Sequence, residues 1–180
     1  MQYHIILLNE ERYNEFFIYL KDHISDNGKN NTPKFLPLSV ENSTIHKELI
    51  DRFKNGQKVP VGIIGWRRAL IALSNENEIL GHIDLKSYDQ KHTGHRGIMG
   101  MGVHRDFRRQ GLGGYLIESM FNWVKANTEL AQIDLWVLSQ NLNAIKLYSK
   151  SGFKKISEVE EMYRIDNKSY NAVFMTKELQ

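Results

Sequence analysis

A glycine-rich turn at residues 108–114 is the stretch of this sequence whose residue types best suit ligand binding. It reads Arg-Arg-Gln-Gly-Leu-Gly-Gly and leads into an apolar run with the period of a helix, over 112–125. The start of a helix has N–H groups without partners and a partial positive charge, so it attracts anions. The glycines leave room for a ligand, and Arg105, Arg108 and Arg109 would add charge-assisted hydrogen bonds. The turn predicts a site for phosphate or pyrophosphate.

Three phosphate-binding patterns compete for this turn. A P-loop requires a lysine after its last glycine, and none follows here. A dinucleotide fingerprint requires Gly-x-Gly-x-x-Gly early in a chain, and the glycines here have another spacing. The third pattern is Arg-x-x-Gly-x-Gly after a strand, which Arg108, Gly111 and Gly113 match. A tight helix start packed against a sheet would use the same glycines, so this motif alone does not decide between ligand and packing.

A second motif lies 25 residues further on, in SQNLNAIKLYSKSGF (139–153). Together the two motifs resemble the GNAT superfamily of N-acetyltransferases, in that family's order and separation. The resemblance covers roughly residues 60–180. Its second motif, Asn-x-x-Ala-x-x-Leu-Tyr-x-x-x-Gly-Phe, is carried by Asn141, Ala144, Leu147, Tyr148, Gly152 and Phe153.

The resemblance implies that acetyl-CoA is the co-substrate and assigns backbone groups to it. Pantetheine would lie between a splayed strand, Ile98–Val103, and its parallel neighbour, Ile133–Ser139. The backbone of Met101 would polarise the thioester carbonyl, as an oxyanion hole does, and Val103 would hold the pantetheine amides. Asn141 would contact the cofactor near the pantetheine arm. The pyrophosphate would bind the backbone N–H groups of Arg108, Arg109, Gln110, Gly111, Leu112, Gly113 and Gly114.

The resemblance also makes Tyr148 the general acid that protonates the departing thiolate, although an aromatic residue at this position also suits core packing. The base is left open, because Gly97 stands where family members often have an acid. Asp84 is the first candidate as base or amine anchor, since an acid among apolar strand residues needs a reason. His95 follows, then His82, which shares a sheet face with Asp84. Asp134 would play a similar part on the neighbouring strand.

The elements that position these residues follow from periodicity and turn signals. They form a mixed α/β chain with one crossover unit, and the resemblance implies a central, mostly antiparallel sheet with one splayed parallel strand pair, flanked by helices. The expected helices are 10–24, 42–55 (capped by Asn42 or Ser43, with Gly56 behind), 112–125 and 142–151. The expected strands are 67–74, 79–87, 97–103 and 133–139, followed by a closing hairpin around Asp166-Asn167-Lys168.

Composition bounds the remaining questions. The chain has 180 residues, no cysteine and a net charge of +3, with its basic residues scattered. We expect one domain over 1–180, in which 1–60 form a helical acceptor-side segment and 61–180 the core with the acetyl-CoA site. Neither a signal peptide nor a membrane span is expected, so the sequence indicates a cytoplasmic protein without membrane or nucleic-acid partners. His92 and His95 make a poor metal site without a third ligand, and no metal is expected.

The leading function is therefore an acetyl-CoA-dependent N-acetyltransferase that acts on a small-molecule or peptide amine by direct attack in a ternary complex. The alternative is a non-catalytic acyl-CoA-binding sensor or scaffold. The protein would be a monomer or homodimer. The family places acceptor contacts in the segments 34–39 and 88–96, and Trp66, Trp136 and Tyr163 would line the acceptor pocket if they are not core residues.

Overall fold

The computed structural model describes residues 3–29 and 32–179, which form seven strands and four helices. The longest of these helices has 16 residues, and no helix in the described part of the chain is long and apolar enough to cross a membrane. The strands are β1 (His4–Leu7), β2 (Arg67–Leu73), β3 (Ile79–Lys86), β4 (Arg96–Val103), β5 (Gln132–Leu138), β6 (Lys154–Ile165) and β7 (Lys168–Glu178). The helices are α1 (Tyr13–Ser25), α2 (Lys47–Gly56), α3 (Leu112–Asn127) and α4 (Leu142–Lys150).

The strands form one sheet in the order β1-β2-β3-β4-β5-β7-β6. Every neighbouring pair is antiparallel except β4 and β5, which run parallel. Their pairing covers only three residue pairs and ends at Ile98 opposite Asp134. Beyond that point the two strands separate while both continue toward their C-terminal ends. The predicted mixed fold with a splayed parallel pair is confirmed.

Two apolar clusters pack on opposite faces of the sheet, because successive strand residues point to alternate sides. One cluster places α3 against Leu70 and Ala72 of β2 and against β3, β4 and β5. The other places α1 and α2 against Ala69, Ile71 and Leu73 of β2. Both strand faces are therefore buried around β2, which explains its continuous apolar run.

The structure differs from the sequence-based prediction at the N-terminal side. Strand β1 was not predicted, and it pairs with β2 at the edge of the sheet. Helix α2 begins at Lys47, so neither Asn42 nor Ser43 caps it. Ser43 is buried instead, where its hydroxyl donates to the carbonyl of Ser39 and accepts a hydrogen bond from the Asn27 amide. Ser43, a residue type that often caps helices, thus links the loop before α2 to Asn27, which lies just after α1.

Each of the three glycines in β4 packs against a different side chain. A Cβ at Gly97 would touch the indole of Trp66 at 3.4 Å, and one at Gly100 would lie 3.0 Å from Oδ1 of Asp84. A Cβ at Gly102 would overlap the ring of His23. The sequence indicated a strand approached by backbone or ligand. The structure shows side chains there instead: Trp66 lies against Gly97, Asp84 of β3 against Gly100, and His23 of α1 against Gly102.

Candidate functional site

The gap between β4 and β5 opens beside a buried charged cluster centred on Asp134. This carboxylate is fully buried and accepts hydrogen bonds from both Nε (2.7 Å) and Nη2 (2.6 Å) of Arg96. Tyr88 (2.8 Å) and Thr176 (2.6 Å) donate to it as well. With four donors the carboxylate has no capacity left for an amine, so Asp134 is not a base. It ties β4, β5, β7 and the loop after β3 together where the strands part.

The backbone of β4 offers hydrogen-bonding groups to this gap. His104 donates its N–H to the carbonyl of Leu80 at 2.9 Å, just past the end of β4. In an antiparallel ladder every second residue bonds the same neighbour, so Gly102 and Gly100 also bond β3. Met101 and Val103 therefore direct their N–H and C=O groups toward β5, where none of the described strands pairs with them. These are the two residues that the sequence assigned to the thioester and the pantetheine.

The glycine-rich turn lies at the same end of the sheet and begins α3. Gly111 is the N-cap with φ +86°, a left-handed conformation that favours glycine, and it has no side chain to bond the first N–H groups of the helix. A Cβ at Gly113 would lie 2.9 Å from Leu147 of α4 and 3.4 Å from Met101 of β4. The helix start is thus in contact with both the splayed strand and α4. Its free N–H groups are suited to a diphosphate.

The arginines around the turn are placed differently from the prediction. Arg105 forms an ion pair with Asp22 of α1, and Arg108 forms one with Asp26, the residue that follows α1. Both side chains therefore point away from the helix start. Arg109 has φ +62° and an exposed side chain. Gln110 donates from its side-chain amide to the carbonyl of Asp106, which stabilises the turn. Of the three predicted cations, Arg109 is the one whose guanidinium lies open to an anion.

Helix α4 places the two residues of the second motif. Asn141 is its N-cap, and its side-chain oxygen accepts from the N–H of Ala144 at 3.3 Å. This capping role was missed, although an asparagine three residues before a helical alanine is a recognised signal. Tyr148 is half-buried and packs against Phe153. Burial raises the pKa of Tyr148 to about 12, so the phenol stays protonated at any physiological pH.

Asp84 lies on the face of β3 that is covered by α1 and α2. Its Oδ2 accepts a hydrogen bond from Nε of Arg67 at 2.7 Å, and Arg67 in turn stacks over Phe53. Its Oδ1 faces the bare backbone of Gly100, the residue before Met101. One carboxylate oxygen is therefore held in place, while the other points to the strand that borders the gap.

His82 shares this face with Asp84, as predicted, but its surroundings do not suit a base. Tyr19 donates its single hydroxyl proton to the carbonyl of Gly102 (3.1 Å), so Nδ1 of His82 must donate to the Tyr19 oxygen (3.1 Å). Burial, together with the charge of Arg67, lowers the pKa of His82 to about 3. His82 is thus neutral and already hydrogen-bonded.

His95 is exposed and precedes β4 at the paired end of the strand, where its carbonyl accepts from the N–H groups of Ala131 and Gln132. Met101 lies six positions further along the strand, at a distance of about 20 Å. This placement removes His95 from the candidate bases.

His23 of α1 is the residue that sequence reasoning missed. Its ring lies against Gly102, stacks on Tyr19 and contacts Phe35, and its Nδ1 has no hydrogen-bond partner among the described residues. Burial lowers its pKa to about 3, because a protonated ring would be desolvated there and would lie close to both His82 and the guanidinium of Arg108. A histidine in a helical apolar pattern gives no sequence signal for this contact, because it depends on which strand the helix crosses.

The two buried histidines predict acid sensitivity. Their folded pKa values lie below the unfolded value of 6.5. The unfolded chain therefore binds more protons as the pH falls from about 6.5 toward 3, and the free energy of unfolding decreases with a slope approaching about 1.4 kcal/mol per pH unit for each histidine. Urea unfolding at pH 7, 6 and 5 measures this slope. His82→Gln should make it shallower, whereas His92→Gln, at an exposed loop position, should not. A stability that is constant from pH 7 to 5 would contradict the prediction.

A cavity of about 610 Å³ lies between the loop that follows α1 and the turn between β6 and β7. Lys34 bridges the two, with its ammonium 2.6 Å from the carbonyl of Leu38 and 3.6 Å from the carboxylate of Asp166. The predicted acceptor segment 34–39 thus contributes to this cavity. The other predicted segment, 88–96, contributes Tyr88 to the Asp134 cluster instead. The cavity is lined by Gly28, Thr32, Lys34, Val40, Gln140, Asp166, Lys168, Ser169 and Tyr170.

The three aromatic candidates for the acceptor pocket differ in exposure and in position. Trp66 is a core residue with 1% of its surface exposed. Trp136 is 42% exposed and packs on Phe174, on the sheet face that α1 and α2 leave open beyond the gap. Tyr163 lies on β6 opposite Tyr170 of β7, which lines the cavity.

Comparisons with known proteins agree with this geometry. The profile of the Acetyltransferase (GNAT) family matches residues 43–153. No curated protein matches the sequence. The fold is similar to that of an acetyltransferase of the GNAT family from Streptococcus pneumoniae, with a TM-score of 0.81, 22% identity, and coverage of 99% of this chain and 100% of that one.

Two similar structures hold the cofactor. One is yncA from Salmonella typhimurium with its cofactor acetyl-CoA, with a TM-score of 0.79 and 13% identity, covering 99% of this chain and 94% of that chain. The other is a GNAT superfamily phosphinothricin acetyltransferase from Sinorhizobium meliloti in complex with acetyl-CoA, with a TM-score of 0.78 and 14% identity, covering 99% and 89%. At these identities the likeness is one of fold.

Proposed function

The chain belongs to the GNAT family of acetyltransferases, and from that premise we propose that it transfers an acetyl group from acetyl-CoA to a primary amine by direct attack in a ternary complex. The observation that carries the proposal is the gap between β4 and β5. One wall of it is formed by Met101 and Val103, whose outward backbone groups pair with none of the described strands, and the N-terminus of α3 lies at the same end of the sheet. An extended amide chain that ends in a diphosphate suits both features.

In the proposed reaction the amine nitrogen bonds to the acetyl carbon, the carbon–sulfur bond breaks, and CoA leaves as a thiol. The N–H of Met101 donates to the carbonyl oxygen as negative charge develops there. Oδ1 of Asp84 binds the acceptor's ammonium group and takes its proton. The hydroxyl of Tyr148 gives its proton to the sulfur as the carbon–sulfur bond breaks, and the second proton, which the nitrogen loses on becoming an amide, passes through solvent to restore the phenol. The chain has no cysteine, so an acyl-enzyme on cysteine has no part in the scheme.

We propose that the acceptor enters from the face of the sheet covered by α1 and α2. On that face Oδ1 of Asp84 lies directly against Gly100 of β4, and the 610 Å³ cavity lies at the loop after α1. Lys34, Asp166 and Lys168 give this cavity charges of both signs. Such a lining favours a polar acceptor that carries a charged group besides its amine.

The alternative is a non-catalytic acyl-CoA-binding sensor or scaffold. Two observations favour it: Gly97 stands where an acid is often found, and one oxygen of Asp84 is already paired with Arg67. This alternative shares the cofactor site with the enzyme and differs only in chemistry.

Gly113→Val tests the cofactor site. A valine there would crowd both Leu147 and the space in front of the helix start, so we expect the Kd of CoA to rise at least tenfold. Overpacking against Leu147 should also lower the free energy of unfolding, by about 1–3 kcal/mol. Isothermal calorimetry with CoA, well below the unfolding temperature, measures the affinity.

The matched control is Gly114→Ala in the same helical turn. A Cβ at Gly114 has Leu147 as its nearest neighbour, at 4.0 Å, and alanine favours a helix over glycine by up to about 1 kcal/mol. Its stability should therefore rise slightly while CoA affinity stays within about twofold of wild type. Wild-type affinity in folded Gly113→Val would show that the turn does not hold the cofactor.

A further inference from the structure

Asp26, the residue that follows α1, is a buried acid outside the reacting groups described above. Its side chain is 1% exposed. Oδ2 accepts a hydrogen bond from Nη2 of Arg108 at 2.8 Å and another from the hydroxyl of Thr32 at 3.1 Å. Oδ1 is buried and lies 3.5 Å from Nε of Arg105. A carboxylate so enclosed must be paired, since an isolated charge would be strongly destabilised.

Its main partner, Arg108, is the first residue of the glycine-rich turn. While Nη2 of Arg108 donates to Asp26, its Nε donates to the carbonyl of Val103 at 3.1 Å. The guanidinium also lies 5.7 Å from the ring centre of Phe35. One side chain therefore connects the end of α1, the end of β4 and the start of the turn. It does so with its donors turned away from the N-terminus of α3.

We propose that Asp26 is a positioning residue for the cofactor site. It holds Arg108 in the one orientation that fixes the Val103 carbonyl and the backbone from Arg108 to Gly114 before the cofactor binds. A carbonyl oxygen has two lone pairs, so Val103 can still accept an amide of the ligand. Preorganisation of this kind raises affinity because less conformational entropy is lost on binding. The inference rests on the proposed function in one respect, that this turn binds the pyrophosphate.

Asp26→Asn tests the proposal with almost no change in shape. The amide oxygen can still accept a hydrogen bond, but the charge that orients Arg108 is gone. We expect the Kd of CoA, measured by calorimetry, to rise about tenfold, in the range for one charge-assisted hydrogen bond. The KM for acetyl-CoA should rise with it, while kcat at saturating acetyl-CoA stays within about twofold. A general loss of structure would lower kcat as well.

Asp22→Asn is the matched control. Asp22 lies one turn earlier on α1 and pairs with Arg105, but its side chain is 44% exposed and does not contact the turn. We expect a change of less than twofold in the Kd of CoA. An equal loss in both variants would overturn the proposal, because the effect would then not be specific to the contact between Asp26 and Arg108.

A double mutant separates action through Arg108 from action by another route. If Asp26 works through Arg108, Asp26→Asn combined with Arg108→Gln should bind CoA no more weakly than Arg108→Gln alone. Additive losses would overturn the proposal, as would wild-type CoA affinity in folded Asp26→Asn.

Hydrogen exchange without any cofactor gives an independent readout. The amides of Arg108 and Tyr115, which donate to the carbonyls of Arg105 and Gly111 at the two ends of the turn, should exchange faster in Asp26→Asn than in wild type, and those of β2 should not change. Unchanged exchange in the turn would overturn the positioning role even if CoA binds elsewhere. If instead Gly113→Val leaves CoA binding intact while this exchange result holds, the cofactor assignment fails and the structural coupling stands.

Discussion

Tyr148→Phe is expected to lower kcat by about 10² to 10⁴-fold, the usual contribution of a general acid, with acetyl-CoA affinity near wild type. Burial raises the pKa of Tyr148 to about 12, whereas a thiol has a pKa near 8.5. Complete transfer to a free thiolate is thus uphill by about 3.5 units, or about 5 kcal/mol. In the proposed mechanism the phenol therefore hydrogen-bonds to the sulfur as its charge develops and transfers the proton only as the bond breaks.

The substitution removes only a hydroxyl, so the packing against Phe153 should survive. Tyr13→Phe is the control, because Tyr13 is a buried tyrosine of the cluster under α1 and also loses only its hydroxyl. Steady-state kcat with a good amine acceptor, beside the Kd of acetyl-CoA, separates chemistry from binding. Wild-type turnover in Tyr148→Phe would leave Tyr148 as a core aromatic residue.

Asp84→Asn is expected to lower kcat/KM for the amine by at least about 10²-fold, because the acceptor loses both its anchor and its proton acceptor. The amide is nearly isosteric, and it leaves Oδ1 as a neutral acceptor beside Gly100. The Kd of CoA should change little, since the contacts of Asp84 are with Arg67 and Gly100 and not with the backbone groups of Met101 and Val103 or the glycine-rich turn. Initial rates over a range of amine concentrations, with acetyl-CoA saturating, measure the effect.

A structural contribution of Asp84 must be distinguished, because Asp84→Asn leaves the guanidinium of Arg67 without its partner. Combining it with Arg67→Gln removes that unpaired charge. If Asp84 acts only by pairing with Arg67, the double variant should recover both stability and activity. If Asp84 contacts the amine, stability should recover while activity stays low, and this second result is the one we expect.

Local patterns in the sequence were sufficient to predict much of the architecture. The apolar period of 112–125 predicted α3 within two residues of its observed end, and the strands expected at 67–74 and 79–87 correspond to β2 and β3. The two motifs also placed the gap correctly between β4 and β5. These features depend on neighbours in sequence, or on motifs that record the fold of a family.

The features that sequence reasoning missed depend on contacts between distant segments. Strand β1 has only four residues, and its pairing with β2 is decided by the sheet. The contact of His23 with Gly102 joins α1 to β4 across almost 80 residues, and neither residue signals it alone. Arg108 looked like a phosphate ligand because charge and spacing are visible in sequence. Asp26 holds the side chain of Arg108 away from the start of α3, and this role is not recognisable without the fold.

Acetyl transfer itself is tested most directly by measuring free thiol when the protein is incubated with acetyl-CoA and a panel of primary amines, with mass spectrometry of the amine. The account predicts that at least one polar, charged amine stimulates thiol release. The acetylated amine should form in equal amount, and Tyr148→Phe should abolish the stimulation. Acetyl-CoA that binds to the protein but releases no thiol above the background rate with any amine would contradict catalysis and leave the non-catalytic alternative.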